Sequence, residues 1–142
     1  MKTILLTGGR GYIGSHAVLQ LVEAGYKVIV IDDLSRSLPG NEIAGVEYHN
    51  IQMQDKDAVR KILTDNTIDY VMHFAAFISV EESTKEPEMY FQNNTEGVRA
   101  FVEVLKEFDI KNFIFSSTAA VYGEGESKPL VETDMTVPIN PY

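Results

Sequence analysis

Apolar residues along this chain follow two alternating patterns, short continuous runs and longer stretches with helical spacing. The runs at 2–8 (KTILLTG) and 26–32 (YKVIVID) are typical of strands buried on both faces, as parallel sheets require. Four apolar residues between these runs recur at helical spacing: Ala17, Val18, Leu21 and Val22. Gly25 then ends the helix, so the chain is predicted to begin as strand, helix and strand.

The same alternation continues along the rest of the chain. Three more runs predict strands, at 46–51, 68–76 and 111–118. Two helices are predicted, one at 55–66 with Asp55 as its N-cap, and a long one from Glu88 to about Phe108. The long helix carries an apolar stripe of Phe91, Val98, Phe101, Val102 and Leu105. This stripe is expected to lie in the core or, in a dimer, at the interface.

Strands that alternate with helices predict right-handed crossovers. The expected fold class is therefore α/β, a doubly wound parallel sheet of the Rossmann-like type, in one domain over 1–142. The polar stretches 33–45 and 119–142 are predicted loops. The second is rich in glutamate and proline and suits an active-site loop, with the glutamates of 124–132 on a solvated face.

Composition narrows the classes of function. Hydrophobic residues make up 44% of the chain and charged residues 23%, as in folded globular proteins. The net charge of -9 argues against nucleic acid or an anionic membrane as a partner, so a phosphate ligand would be held mainly by backbone N–H groups. The absence of cysteine excludes disulfides and thiolate chemistry. No stretch is long enough for a signal or membrane segment, and we expect a cytoplasmic protein.

A glycine-rich turn stands between the first strand and the first helix. In TGGRGYIGSH, Gly8, Gly11 and Gly14 have the spacing GxxGxxG. Gly9, Gly11 and Gly14 also have the spacing GxGxxG. Such glycines allow a tight turn and a close backbone approach to a pyrophosphate, while the helix N-terminus supplies N–H donors. Glycines also make ordinary turns, but the position between strand and helix favours dinucleotide binding.

An acidic residue stands at the end of the second strand. Asp32 lies about 20 residues beyond the glycines, the separation expected for a ligand of the adenosine ribose. A 2'-phosphate would meet like charge from Asp32 and Asp33, which favours NAD over NADP, and only Arg36 nearby argues otherwise. The alternative is that Asp32 merely caps a loop. His73, in an apolar strand, is interpreted as a hydrogen-bonded core residue, and the three histidines form no metal-binding pattern.

Three blocks together resemble the N-terminal part of the extended short-chain dehydrogenase/reductase family, and within it the sugar-nucleotide epimerases. They are TGGRGYIGSH, VMHFAAFISVEES followed by NNTEG, and FIFSSTAAVYGE running on to NPY. The resemblance implies an NAD cofactor, a UDP-sugar substrate and a homodimer for the full-length protein. It also implies contacts to the cofactor from Gly8, Gly11, Tyr12, Ile13, Gly14, Asp32, Asp33, Ser37, Asn50, Ile51, Phe74, Ala75, Ala76 and Asn93. The chain departs from the family at Asn50, where Asp is usual, and at Ile78, where a polar residue is common.

The resemblance further implies the catalytic groups. Thr118 falls at the family's catalytic Ser/Thr position, and Tyr142 at the tyrosine of its Tyr-x-x-x-Lys motif. The phenol would take the proton of the sugar's 4-hydroxyl as hydride leaves C4, giving a 4-keto sugar that is reduced on its other face. Related dehydratases carry an Asp–Glu pair where this chain has Ala119 and Ala120, which favours an epimerase.

The motif's lysine would be residue 146, and the chain ends at 142. We therefore expect an incomplete NAD-binding domain without a substrate subdomain, inactive on its own. The alternatives are a non-catalytic NAD-binding module and another sugar-nucleotide oxidoreductase or dehydratase.

Overall fold

The computed structural model describes residues 1–40, 42–125 and 129–142. Five strands form one parallel sheet in the order β3-β2-β1-β4-β5. They are β1 (Thr3–Thr7), β2 (Lys27–Ile31), β3 (Glu47–His49), β4 (Tyr70–His73) and β5 (Phe113–Phe115). The chain runs outwards from β1 to one edge and then returns to the other edge through β4. The prediction of a doubly wound parallel sheet is confirmed.

Helices connect the strands. They are α1 (Tyr12–Glu23), α2 (Lys56–Asp65), α3 (Val80–Lys85), α4 (Pro87–Tyr90) and α5 (Val98–Glu107), with a π-helix at Phe91–Gly97 and a 3₁₀ turn at Ala119–Tyr122. The carboxylate of Asp55 accepts a hydrogen bond from Ala58 N at 3.1 Å, so the predicted N-cap of α2 is confirmed. None of the helices in the described ranges is long and apolar enough to cross a membrane.

A separate apolar core covers each face of the sheet, because successive strand residues point to opposite sides. Leu5 belongs to one core, with Val59 of α2 and Phe101 of α5 packed in the same cluster. Leu6 belongs to the other, with Val18 of α1. All five residues of β1 are buried, which matches its continuous apolar run. The sheet therefore holds the carboxyl ends of β1, β2 and β4 at one fixed edge.

The segment 78–108 differs from the prediction in two ways. The helix predicted from Glu88 to about Phe108 is confirmed as a helical segment, but it is not α-helical throughout, because the π-helix stands between α4 and α5. The wider π turn shifts the register, so Phe91 is 53% exposed and lies outside the core, while Phe101 and Leu105 are buried. The prediction also missed α3, although Ser79 and Glu82 have the S-x-x-E spacing of a helix start.

The two edge strands and the two predicted loops are found where they were expected, but the edge strands are shorter than predicted. β3 and β5 each have three residues, because exposed or polar residues at both ends of the predicted runs lie outside the ladder. The stretches 33–45 and 119–142 contain no strand in their described parts. Glu124 and Glu132 are exposed, as predicted for a solvated face, whereas Glu126 lies outside the described residues.

Candidate functional site

The glycine-rich turn leaves β1 and enters α1 with almost no free space around two of its glycines. Gly8 has φ +73°, and a Cβ there would lie 2.6 Å from Ala75 N. A Cβ on Gly14 would lie 2.1 Å from the carbonyl oxygen of Gly8. Any side chain at either position would displace backbone. These two glycines are therefore needed for the fold of the turn itself.

Gly11 has a different environment. A Cβ there would meet only the Gly8 carbonyl oxygen, at the ordinary contact distance of 3.4 Å, and Gly11 lines an open cleft. Gly11 is also the N-cap of α1 and makes no side-chain cap, so the helix presents its first N–H groups without a side-chain acceptor. The fold does not require glycine at this position, and the open space beside it is available to a ligand.

Asp32 lies at the end of β2 and lines the same cleft. Its Oδ2 accepts a hydrogen bond from Arg10 N at 2.9 Å, and its Oδ1 accepts from Leu34 N at 3.0 Å and Ser37 Oγ at 2.6 Å. The carboxylate is buried and fixed, and Oδ2 has capacity for one more donor. Asp32 thus shapes its loop, as the alternative interpretation expected, and also presents an acceptor to the cleft.

The cleft lies at the carboxyl ends of β1, β2 and β4. Ten of the predicted cofactor residues line it: Gly8, Gly11, Asp32, Asp33, Ser37, Ile51, Phe74, Ala75, Ala76 and Asn93. Ligands in open α/β sheets bind at this edge, where the strand order reverses. A fixed carboxylate, an open glycine backbone and apolar walls therefore occur together where a doubly wound fold binds small molecules.

Four predicted residues lie outside the lining of the cleft. Tyr12 and Ile13, at the start of α1, are 83% and 62% exposed. Gly14 packs against Gly8, as described above. Asn50 faces Arg10, whose Nη2 donates to Asn50 Oδ1 at 3.0 Å.

Arg10 is a buried residue of the glycine-rich turn whose role the sequence analysis missed. Its guanidinium pairs with Glu42 and lies 4.5 Å from the centre of the Tyr48 ring. The hydrogen bond from Arg10 holds the pKa of the Glu42 carboxyl below its usual range. The signal in the sequence was an arginine inside a tight glycine-rich turn, GGRG. If such an arginine is buried, it needs polar partners, because charged residues are seldom buried unpaired. Arg10 ties the turn to β3 and orients Asn50.

The wall formed by 74–77 is held by a single asparagine of the π-helix. Asn94 Nδ2 donates to Phe77 O at 2.8 Å, and Asn94 Oδ1 accepts from Phe77 N at 2.9 Å. Asn93, its neighbour, lines the cleft and donates to the same Oδ1 at 2.8 Å. The π-helix thus places two consecutive asparagines where one lines the cleft and the other fixes its wall.

Ser35 and Arg36 also line the cleft, within the stretch 32–37 predicted to surround the ribose. Five further lining residues were not predicted as contacts: Thr7, Ile31, Met53, Gln54 and Phe77. Most of them are close neighbours in sequence of predicted residues, which was the available signal. Met53 and Gln54 lie between β3 and α2, and no motif indicated them. Their position follows from the packing of α2 and α5 beneath the cleft.

His73 is 2% exposed, and its Nδ1 is 2.7 Å from Thr7 Oγ1. Burial lowers the pKa of its imidazole to about 4, so the ring is neutral at pH 7. The interpretation of His73 as a hydrogen-bonded core residue is confirmed.

Thr118 and Tyr142 lie outside the lining of the cleft. Thr118 Oγ1 accepts a hydrogen bond from Ala120 N at 3.1 Å and caps the 3₁₀ turn. Tyr142 is partly buried. Among residues 1–40, 42–125 and 129–142, no group of three or more His, Asp or Glu side chains could hold a metal ion.

Comparison with known proteins identifies relatives over the whole chain. UDP-glucose 4-epimerase of Halalkalibacterium halodurans is 45% identical over 139 residues, which are 98% of this chain and 41% of that protein. A crystal structure of a UDP-glucose 4-epimerase superimposes with a TM-score of 0.96 at 42% identity, covering 99% of this chain and 43% of that one. The enzyme of Bifidobacterium longum in complex with NAD⁺ and UDP gives a TM-score of 0.93 at 32% identity, with coverage of 99% and 44%.

The chain thus spans about two fifths of the length of the relatives it matches. The sequence profile of the NAD dependent epimerase/dehydratase family matches residues 4–142. The fold, the glycine-rich turn and the profile agree, and this chain belongs to the NAD dependent epimerase/dehydratase family.

Proposed function

We propose that this chain binds NAD in the cleft at the carboxyl ends of β1, β2 and β4. We propose further that a protein with this chain and the full length of its relatives epimerises a UDP-hexose at C4. The reaction would interconvert UDP-glucose and UDP-galactose. The observation that carries the proposal is the contrast among the glycines. Gly8 and Gly14 are closed in by backbone, whereas Gly11 is open towards the cleft. An open glycine at a helix N-terminus is suited to a pyrophosphate.

The residues of the cleft fit a dinucleotide. The first N–H groups of α1, at Tyr12, Ile13 and Gly14, would hold the pyrophosphate without any cationic side chain. Gly8 and Gly11 would allow the close backbone approach, since their own N–H groups donate to Ile31 O and Gly8 O. Asp32 would accept a ribose hydroxyl at Oδ2, with Asp33 and Ser37 beside it. Ile51 would flank the adenine, with Asn50 next to it. Phe74, Ala75, Ala76 and Asn93 would line the remainder of the cofactor.

When bound, NAD would accept hydride from C4 of the sugar and return it to the opposite face. In the proposal Tyr142 takes and returns the proton of the 4-hydroxyl, and Thr118 hydrogen-bonds the same oxygen. Ala119 and Ala120 carry no acidic or basic group, so these two positions supply no acid–base pair for eliminating water. A 4-epimerase is therefore favoured over a dehydratase.

The same proposal extends to partners and location. The relative of Bifidobacterium longum was solved in complex with UDP as well as NAD⁺, and the bound UDP supports a UDP-sugar as the substrate. A homodimer of the full-length protein stays a prediction, with the half-exposed Phe91 of the π-helix as a candidate contact. A cytoplasmic location remains a prediction.

The 142-residue chain alone is proposed to bind NAD without epimerising UDP-galactose, because it spans only about two fifths of the length of its relatives.

Calorimetric titration of NAD into the purified 142-residue chain tests the binding step. Gly11→Ala should weaken NAD binding by about tenfold, because its methyl group enters the open space, while thermal stability changes little. Gly25→Ala, at a positive φ with no atom within 4 Å, is the matched control and should leave affinity unchanged. Equal affinity of the wild-type chain and Gly11→Ala would place the ligand elsewhere and contradict the proposal.

Conversion of UDP-galactose to UDP-glucose tests the catalytic step. The 142-residue chain should give no product above a no-enzyme blank. A chain extended to the length of the relatives should convert the sugar, and Tyr142→Phe in that longer chain should abolish turnover while NAD stays bound. NAD binding without activity in the longer chain would instead support a non-catalytic binding module.

A further inference from the structure

Arg36 is the one cationic residue between Asp32 and Val46, and it lines the cleft beside Asp33 and Ser37. A guanidinium at the edge of a ribose pocket is suited to a 2'-phosphate, because its planar fork of N–H donors matches phosphate oxygens. The cation that would favour NADP is therefore present in the loop. Its availability depends on what else the guanidinium contacts.

The guanidinium is engaged by a residue 46 positions away in sequence. Arg36 Nη2 donates to both carboxylate oxygens of Glu82, at 3.0 and 2.9 Å. Its Cζ lies 4.5 Å from the centre of the Phe77 ring. Arg36 thus reaches across from the β2 loop to α3 and lies on an aromatic face. In this position Nη2 of the guanidinium is engaged by a carboxylate, and the positive charge lies against α3.

Glu82 is itself held in place from the opposite side. The Tyr90 hydroxyl donates to Glu82 Oε2 at 2.7 Å, and that hydroxyl accepts from Ser79 N at 3.0 Å. Tyr90 is buried, and Glu82 N donates to Ser79 Oγ at 3.2 Å. The hydrogen bond from Tyr90, and then the one from Arg36, hold the pKa of the Glu82 carboxyl below its usual range. Glu82 is thus an ionised acceptor that Tyr90 fixes independently of Arg36.

We propose that Glu82 determines the preference for NAD over NADP by holding Arg36 on α3, away from a 2'-phosphate. This inference rests on the proposed NAD site. Asp32 and Asp33 repel a 2'-phosphate, and the only cation of the loop is neutralised by a third carboxylate. Removing that carboxylate frees a guanidinium within a loop that already lines the ribose end of the cleft.

The test is the ratio of NADP to NAD affinity, measured by calorimetry on the 142-residue chain. Glu82→Gln keeps an oxygen acceptor for Tyr90 and should tighten NADP binding relative to NAD by about tenfold, the value of one charge-assisted contact. Arg36→Gln added to Glu82→Gln should abolish that gain. Glu82→Asp shortens the side chain, draws the carboxylate back from Arg36, and should give a smaller gain in the same direction.

Glu81→Gln is the matched control for charge. Glu81 precedes Glu82 in the same turn of α3 and pairs with Lys85 rather than Arg36, so its removal should leave the ratio unchanged. A gain of equal size in Glu81→Gln, or one that persists without Arg36, would overturn the inference. So would an unchanged ratio in both Glu82 variants when NAD binds normally. Failure of the wild-type chain to bind NAD would instead overturn the proposed function, and this inference with it.

Discussion

β1 and β5 belong to the same parallel sheet but differ sharply in their surroundings. β1 lies between β2 and β4, and all five of its residues are buried. Within the described part of the chain β5 pairs with β4 alone, and Ile114 and Phe115 are 53% and 51% exposed. The glycine-rich turn follows β1, and Asp32 follows β2, which pairs with β1. Thr118 and Tyr142, the proposed catalytic residues, follow β5.

This difference separates the proposed binding region from the proposed catalytic residues in physical terms. The cleft has a fixed carboxylate, a closed turn and a wall held by Asn94, so it is preorganised without further polypeptide. The region after β5 leaves apolar side chains in solvent, and Thr118 caps a local turn. We therefore expect substitutions around β1 and β2 to affect folding and NAD binding, and substitutions on β5 to affect neither strongly.

The largest expected contrast compares two isoleucines. Ile29→Ala on β2 should lower the free energy of unfolding by about 4 kcal/mol, because Ile29 is fully buried and its loss leaves a cavity. Ile114→Ala on β5 should cost less than about 1 kcal/mol, because that side chain is half exposed. Urea unfolding followed by circular dichroism measures both. Equal losses would show that β5 is packed as tightly as the centre of the sheet.

The second contrast concerns two glycines that both have positive φ. Gly8→Ala should destabilise the chain by about 3 kcal/mol, because the backbone is strained and the methyl group would clash with the segment that follows β4. Gly25→Ala has the same kind of strain with no atom within 4 Å and should cost about 1 kcal/mol. Thermal unfolding of the two variants separates strain from crowding. A Gly8→Ala variant no less stable than Gly25→Ala would contradict the close packing of the turn.

The third prediction concerns His73, which lies between the two regions. Its Nδ1 contacts Thr7 of β1, and its ring stacks on Phe115 of β5 with centroids 5.3 Å apart. The folded-state pKa of about 4 is below the unfolded value near 6.5, so the unfolded chain binds the proton first as pH falls. His73 should therefore cost the folded state about 2 kcal/mol between pH 7 and pH 5, with no effect above pH 7.

Urea unfolding at pH 7 and pH 5 checks this for the wild-type chain and for His73→Asn. The variant should lose most of this pH dependence. If its stability fell as steeply as that of the wild type, other groups would be responsible and the burial of His73 would not explain the slope.

The sequence predicted the parts that depend on local pattern. The buried runs of β1 and β2 gave the parallel sheet, and the glycine spacing with Asp32 located the cleft. The π turn between α4 and α5 was not predictable from the stripe of apolar residues, because a π turn changes the register without changing composition. Phe91, which was predicted to lie in the core or at a dimer interface, therefore lies outside the core.

Side-chain contacts between residues far apart in sequence were also not predicted. Arg36 was recognised as the one residue that argued for NADP, but its partner Glu82 lies on a helix that was missed. Arg10 and Asn50 are 40 residues apart and meet only because β3 pairs beside β2. Such contacts depend on strand order and register, which the pattern of hydrophobic residues does not specify.

An amide-resolved NMR titration of the 142-residue chain shows directly whether NAD occupies the cleft at the carboxyl ends of β1, β2 and β4. We expect saturable shifts that are largest at Gly8, Gly11 and the loop 32–37, with little change at a second cleft between the ends of α2 and α5, lined by Leu63 and Phe108. Saturable shifts centred on that second cleft, or no saturable shifts at all, would contradict this expectation.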